Sequence, residues 1–381
     1  MNSYLALQTQ THRGWRRATL ALLVLAALAA LAALATPLFA ADPKVSRETV
    51  LRDLARNVIA AGYDSLDAKC RALTQAVGEL NQTPTSATLA QARAAWIAAA
   101  DAAAAMRCFQ TGPLASRESA ATFYYGRVSP PFLEGALRAT NALSPSLLDE
   151  LSPNVKGLFG IQYLLFGHTG YPSMTPVPAS AVLGMLSGPD SARRRSYLGA
   201  LAEEVAVKAG QVAADWNTPG DSGAAAQFAA AGEASLNQVV NQLAQALEDL
   251  DQKHLNFVLV LPSPISRQQY RVERSPSGSS LSGVIASLEG VEKFYRGVHG
   301  PGLAALVQPL NPALGQRIAD QFAAALAATR AIGEPLEQAV VDKREALQKA
   351  VDQVHALEIL LKVDLASALG VTITFSSGDS D

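Results

Sequence analysis

Cysteine is almost missing from this chain. Cys70 and Cys108 are the only two in 381 residues, and no CxxC pair exists. An exported protein can oxidise its cysteines, but these two are expected on consecutive antiparallel helices that turn near Thr83–Ala87. Counted out from that turn, Cys108 stands opposite about residue 60, not residue 70, an offset of roughly 15 Å along the helix. A disulfide does not span that gap. HExxH, GxSxG and P-loop motifs are also absent, and with them the usual marks of a zinc peptidase, a serine hydrolase or a nucleotide site. No activated nucleophile and no base-plus-metal set is legible, so the residues present do not support peptidase activity. Nor is there an excess of one charge: 31 Lys and Arg face 33 Asp and Glu, with no basic stripe, which argues against nucleic-acid binding. Strand signals are scarce, and only "NFVLVL" (256–261) and "VTITF" (371–375) qualify.

The chain does have one long apolar run, at its N-terminus. Arg13, Arg16 and Arg17 precede "ATLALLVLAALAALAALA", followed by Pro37 and the small-residue pattern "LFA-ADP" with a cut expected after Ala40. The order of charge, apolar run and small residues is that of a secretory signal peptide. Residues 1–41 are therefore set aside from the fold and the mature protein is expected in the periplasm or cell envelope. The run is long enough that an uncleaved leader is the one route to the membrane. Cleavage removes three arginines and no acids, moving the formal charge from −2 to −5. No cysteine follows the run, so no lipid anchor is expected.

Beyond the leader the pattern is helical. Helices are expected over about 46–80, 88–110, 115–140, 146–166, 191–216, 222–256, 280–296, 301–308, 311–332 and 334–369, separated by breakers such as "NQTPTS", "LSPS", "NTPGDSG" and "RSPSGSS". In the second of these, Leu89, Ala92, Trp96, Ala99, Ala103 and Met106 recur every three or four residues and define a core face. The Ala-rich stretches Ala98–Ala105 and Ala323–Ala328 read as close-packing surfaces. The length exceeds what one core needs, and "HTGYPSMTPVPAS" (168–180) is Pro-, Ser- and Gly-rich. The expectation is an all-α protein of two packed helical bundles, 42–175 and 176–381.

The most apolar helix, "GLFGIQYLLFG" (157–167), carries a single strong polar group, Gln162. The stretch resembles the signature of the imelysin family, in which Gly-x-His-x-x-Glu is followed by an aromatic and "LLFG" or similar. "ARAAWIAAADAAAAMRCFQTGP" is similar to that family's Trp-containing helix ending at Gly-Pro. "RVERSPSGSSLSGVIASLEGVEKFYRG" is similar to its Ser-rich turn and following helix, and "DLASALGVTITFSSGDSD" to its C-terminus. The resemblance covers most of the mature chain. It implies an all-helical, two-bundle protein of the bacterial envelope linked to iron acquisition. The family takes its name from an insulin-cleaving membrane protease.

The signature has a plain physical sense. His and Glu three apart on a helix share a face, so an imidazole nitrogen and a carboxylate oxygen converge on one metal ion. The matching positions here are Phe159, which has no lone pair to give, and Gln162, a neutral and weak ligand. The acid that the family carries shortly before Gly-Pro is matched by Arg107, whose charge repels a metal. The reading is a dismantled metal site with no cofactor of its own.

Arg107 lies eleven residues after Trp96 and returns to within about 20° of the same face. Two readings stand beside each other: a snorkelling arginine at a helix C-terminus, or a guanidinium that meets Gln162 in the old site, with the amide or a small anionic ligand such as a carboxylate or phosphate as partner. A second H-x-x-E, His355 and Glu358, lies in "DQVHALEILL", with Glu358 on the stripe Leu347, Val351, Val354, Leu361, Leu365. A carboxylate there needs a partner, either a salt bridge from a neighbouring helix or a relocated metal. Glu118, Glu134 and His168 read by default as solvated acids and a loop histidine, with a place beside the old site as the alternative, and one of Ser275, Ser277, Ser279 and Ser280 is expected to cap the helix that follows. The candidate ligand-binding set is thus Arg107, Phe159, Gln162 and Glu358. The functional expectation is a non-catalytic binding or accessory protein of the envelope, beside iron-uptake components. The runner-up is a metal-binding protein or metallopeptidase using His355 and Glu358, with iron as its metal. A third reading, a scaffold presenting two bundles to a partner protein, is not separable from the first by sequence.

Overall fold

The computed structural model describes residues 45–381 except 118, 127, 140–142, 144, 168–176, 190, 261–271 and 375–381. The leader, Glu118 and His168 lie outside the described residues. The described chain is helical, with no strand among the described residues. Eight helices carry the architecture: α1 Ala61–Gln82, α2 Ser86–Met106, α3 Gly157–Phe166, α4 Ser191–Asn217, α5 Glu233–Asp249, α6 Ser280–Arg296, α7 Pro312–Ala331 and α8 Arg344–Ile359. Two bundles result. In the first, α1 packs on α2 and α4, and α3 lies against α2 and α4. In the second, α7 packs on α8 and α6, and α5 packs on α8 and α6. The first bundle takes in α4, which follows residue 176 in sequence; Thr74 and Asn81 of α1 donate to the carbonyls of Ala202 and Arg195 across that contact (2.9 Å each). From Val45 onward the bundles form one compact unit, joined chiefly where α2 meets α6.

That junction explains the alanines. A Cβ on Gly290 of α6 would lie 2.0 Å from the carbonyl oxygen of Ala105 on α2, so the helices approach to backbone contact, and Ser287 donates to the Ala104 carbonyl at 3.0 Å. The other face of α2 buries the six residues expected on its core stripe, Leu89 through Met106. Burying a large apolar side chain stabilises by about 1.5–3 kcal/mol, so this face is what fixes α2 against α1 and α3. The turn between α1 and α2 is set by Thr85, whose hydroxyl accepts from the Thr88 amide in a reciprocal cap.

The differences from the sequence reading lie in where helices break. The stretch 115–140 divides into Pro113–Ser116, Ala120–Tyr124 and Pro130–Arg138, and 222–256 is interrupted at Gly232. Helix Ala179–Ser187 was not expected. The strand expected over 256–261 is instead the helical turn Asn256–Leu259, because a short apolar run suits a buried helix end as well as a strand; residues 371–374 are irregular. Helix α3 starts at Gly157 and not at 146, since Gly157 adopts φ +66° and a Cβ there would sit 2.5 Å from the Thr122 carbonyl oxygen. Three helical stretches widen into π turns: Leu54–Ala60, Leu250–Leu255 and Leu360–Leu365. Such turns concentrate at functional sites. No described helix is long and apolar enough to cross a membrane.

Candidate functional site

Helix α3 places Phe159 and Gln162 inside the first bundle. Phe159 packs edge-on against Trp96 of α2, ring centroids 6.4 Å apart, and the Trp96 indole donates to the Leu158 carbonyl at 2.7 Å. The Phe159 ring thus packs in the bundle interior. Gln162 is 4% exposed. Its amide nitrogen donates to the Ser277 hydroxyl at 3.0 Å; that oxygen lies 2.7 Å from the Arg274 carbonyl and from the Ser279 hydroxyl. The buried amide therefore ties α3 to the Ser-rich turn before α6. None of the four serines caps α6 by its side chain: Ser277 and Ser279 are drawn into this network, and Ser280 accepts from the Leu336 amide while donating to Glu337.

The turn itself carries two residues the sequence reading passed over. Arg274 is 3% exposed with φ +67°. It lies over the Trp96 ring, donates to Ser279 (3.1 Å), and pairs with Asp101 of α2 at 2.7 Å. Next to it, Glu273 grips Arg107 through both carboxylate oxygens. Arg107 also lies 3.2 Å from Nε2 of His254, on the π turn Leu250–Leu255, and over the Tyr124 ring. Burial raises the Glu273 carboxyl, but Arg107 first and then His254 outweigh it and hold it below the ordinary carboxylate range. Burial lowers the His254 imidazole; Glu273 opposes this and Arg107 adds to it, and the net lies below the ordinary 6.5. A neutral His254 can then accept from Arg107 at Nε2 and keep its proton on Nδ1.

Arg107 and Gln162 do not pair with each other. The void beside Arg107 is about 10 Å³ and is lined by His254, Glu273, Arg274 and Gly283, not by Phe159, Gln162 or Glu358. That is at or below the room for one water. The four residues expected to share a site fall into three places: Arg107 in an ion-paired centre, Gln162 with Phe159 on α3, and Glu358 elsewhere. The reason is that the chain supplies its own anion. Glu273 takes the guanidinium bidentately, the geometry in which Arg and a carboxylate fit best. Glu134, a candidate neighbour, is engaged by Arg194 at 2.7 Å and by the Tyr163 hydroxyl at 2.7 Å. Cys70 and Cys108 are both free and buried.

Glu358 and His355 do come together, and with a third group. On α8, His355 Nδ1 lies 3.5 Å from Glu358 and 3.0 Å from Oδ2 of Asp251. Asp251 stands on the same π turn as His254, but faces the other way, toward α8. One ligand-capable atom from each of Asp251, His355 and Glu358 lies within 4.8 Å of the others. Lys362 reaches Glu358 at 3.4 Å and Glu248 at 3.0 Å. The sequence offered one signal for Asp251: Val240, Ala244, Leu247, Asp251 and Leu255 recur at spacings of four and three and are all buried, so an acid stands on a core stripe, as Glu358 does.

The architecture defines an all-helical protein of two packed bundles. The imelysin family model matches residues 59–361, and the chain belongs to the imelysin family. Iron-regulated protein A of Synechococcus elongatus is 26% identical over 302 residues, covering 75% of this chain and 76% of that protein. Two solved structures share the fold. One, described as an iron-regulated protein A precursor of Parabacteroides distasonis, aligns with TM-score 0.68 at 17% identity over 85% of this chain and 95% of its own. The other, an imelysin-like protein of Psychrobacter arcticum, aligns with TM-score 0.69 at 18% identity over 86% and 97%.

Proposed function

We propose that this imelysin-family protein is a non-catalytic accessory or binding protein of the cell envelope, exported by its leader and working beside iron-acquisition components. The observation that carries the reading is the Arg107–Glu273 pair. Where the family signature implies a metal held by imidazole and carboxylate, this chain has an aromatic, an amide and a guanidinium already satisfied by its own carboxylate. A cation entering there would meet a fixed positive charge and lose no hydration to useful donors. The link to iron rests on relatives named as iron-regulated, and export rests on the leader and on the relative described as a precursor.

The test has two arms. Purified protein is titrated with ferrous, ferric and zinc ions, alongside Phe159→Ala and Gln162→Ala. The expected result is that neither substitution changes whatever binding is seen; tight one-to-one binding abolished by either one would overturn the reading. Incubation with insulin and casein, with and without chelator, is expected to give no chelator-sensitive cleavage. The iron link predicts that the protein becomes more abundant in its host under iron limitation.

A further inference from the structure

We infer that Asp251, His355 and Glu358 form a binding site for a divalent first-row transition-metal ion, separate from the signature centre and built between the π turn Leu250–Leu255 and helix α8. Asp251 is 2% exposed. Its Oδ2 is 3.0 Å from His355 Nδ1 and 2.8 Å from the Gln252 amide nitrogen, while Oδ1 has no hydrogen-bond partner among the described residues. A buried carboxylate aimed at an imidazole with one oxygen unpartnered is costly to keep, and a cation is what such a group lacks. Glu358 is also buried; among the described residues Glu358 and Glu248 both pair with Lys362, and the imidazole of His355 is shared between Asp251 and Glu358.

The spacing suits a small metal. Donors bound at about 2.0–2.2 Å stand about 3.0 Å apart in octahedral and about 3.4 Å apart in tetrahedral arrangement. The two separations from Nδ1, 3.0 and 3.5 Å, bracket that range. One imidazole with two carboxylates is a borderline donor set that suits zinc, ferrous iron or manganese, where an all-oxygen site would suit calcium or magnesium. His355 is 52% exposed at its side chain, so solvent and ion can reach the two buried acids past it. Lys362 holds Glu358 at 3.4 Å and Glu248 at 3.0 Å. On binding, the ammonium keeps Glu248 and yields Glu358 to the metal. The two flanking π turns, Leu250–Leu255 and Leu360–Leu365, supply the geometry: the wider turn rotates Asp251 toward α8 while His254 stays with Arg107.

The experiment titrates the full chain, freed of metal by chelator, with zinc, manganese and cobalt ions, following heat of binding, thermal midpoint and the visible bands of bound cobalt. Asp251→Asn keeps the shape of the side chain, and His355→Gln sits at a half-exposed position that tolerates change; circular dichroism checks that each folds. One ion per chain is expected, with a raised midpoint, and each variant is expected to weaken binding by about 100-fold or more while Gln162→Ala leaves it unchanged. Binding lost in Gln162→Ala but kept in the other two would place the ion at the signature and sink the reading under "Proposed function" as well. Absence of binding, or binding equal in wild type and both variants, would overturn the site here and leave that reading standing.

Discussion

Two polar clusters lie on opposite sides of one π turn, and they differ in how their charge is settled. At Arg107, a guanidinium, a carboxylate and a neutral imidazole close on one another around a void of about 10 Å³. At Asp251, two buried carboxylates share one half-exposed imidazole, and an oxygen is left without a donor among the described residues. His254 and Asp251, three residues apart, serve one cluster each. In an α-helix residues three apart share a face; the π turn parts them. The contrast shows that one π turn can serve both a charge-balanced cluster and one with a carboxylate oxygen left over. Arg107 and Glu273 meet each other's charge directly, and the void beside them has room for about one water.

The strongest test of the contrast removes the tethered cation. Arg107→Met removes the bidentate partner of the part-buried Glu273 and is expected to cost about 1.5–3 kcal/mol in chemical denaturation. Adding Glu273→Met is expected to recover most of that loss, because two apolar side chains replace a part-buried pair at little net cost. A single variant with near-wild-type stability would show that Arg107 and Glu273 contribute as solvated groups, and the distinction between the clusters would collapse. Gln162→Leu is a milder probe of the same region. The amide makes one hydrogen bond to Ser277, which keeps its contacts with Arg274 and Ser279, so a loss of about 1 kcal/mol is expected.

Acid separates the two regions next. His254 is held below 6.5 in the folded protein, so folding favours its neutral form: that contribution is present above 6.5 and is lost as pH falls through the lowered value. Glu273 is also held low, and its contribution is present above the ordinary 4.5 and is lost further down. Stability is therefore expected to decline in two steps on acidification. His254→Gln should flatten the first step and leave the second, as read from denaturation midpoints at several pH values. An unchanged profile would assign the first step elsewhere.

Much of this was legible from periodicity. The stripe of α2 and the apolar setting of Glu358 follow from spacing alone, and the family match follows from four stretches of sequence in order. The breaks were less legible, since Gly157 and Gly232 each end a continuous apolar or alanine-rich pattern through backbone conformation that composition does not reveal. The partners of Arg107 were hidden for a different reason. Glu273 and His254 lie 166 and 147 residues away in sequence, and nothing in local pattern joins them. "RVERSPSGSS" was visible as a Ser-rich turn, but its Glu and Arg are aimed inward by the left-handed backbone at Arg274, which a sequence shows only for glycine or asparagine with any regularity. Asp251 did carry a signal, an acid on a core stripe, but its partner His355 lies 104 residues further on, beyond the reach of local pattern.

The smallest effect bears on the second cluster alone. Lys362 stands between Glu248 and Glu358 with a side chain 24% exposed, so its removal should cost less than about 1 kcal/mol, as partly exposed pairs do. What should change is affinity. In the wild type an incoming ion must displace the ammonium from Glu358; in Lys362→Met it need not, and the local charge is more negative by one. Binding of zinc or cobalt is expected to tighten in the variant and to become more sensitive to salt, since the attraction to a more negative site is screened more. Weaker binding would mean that Lys362 orients Glu358 for the ion instead of competing for it. The cluster would then resemble the Arg107 centre after all, a set of charges arranged around a cation that the chain itself provides.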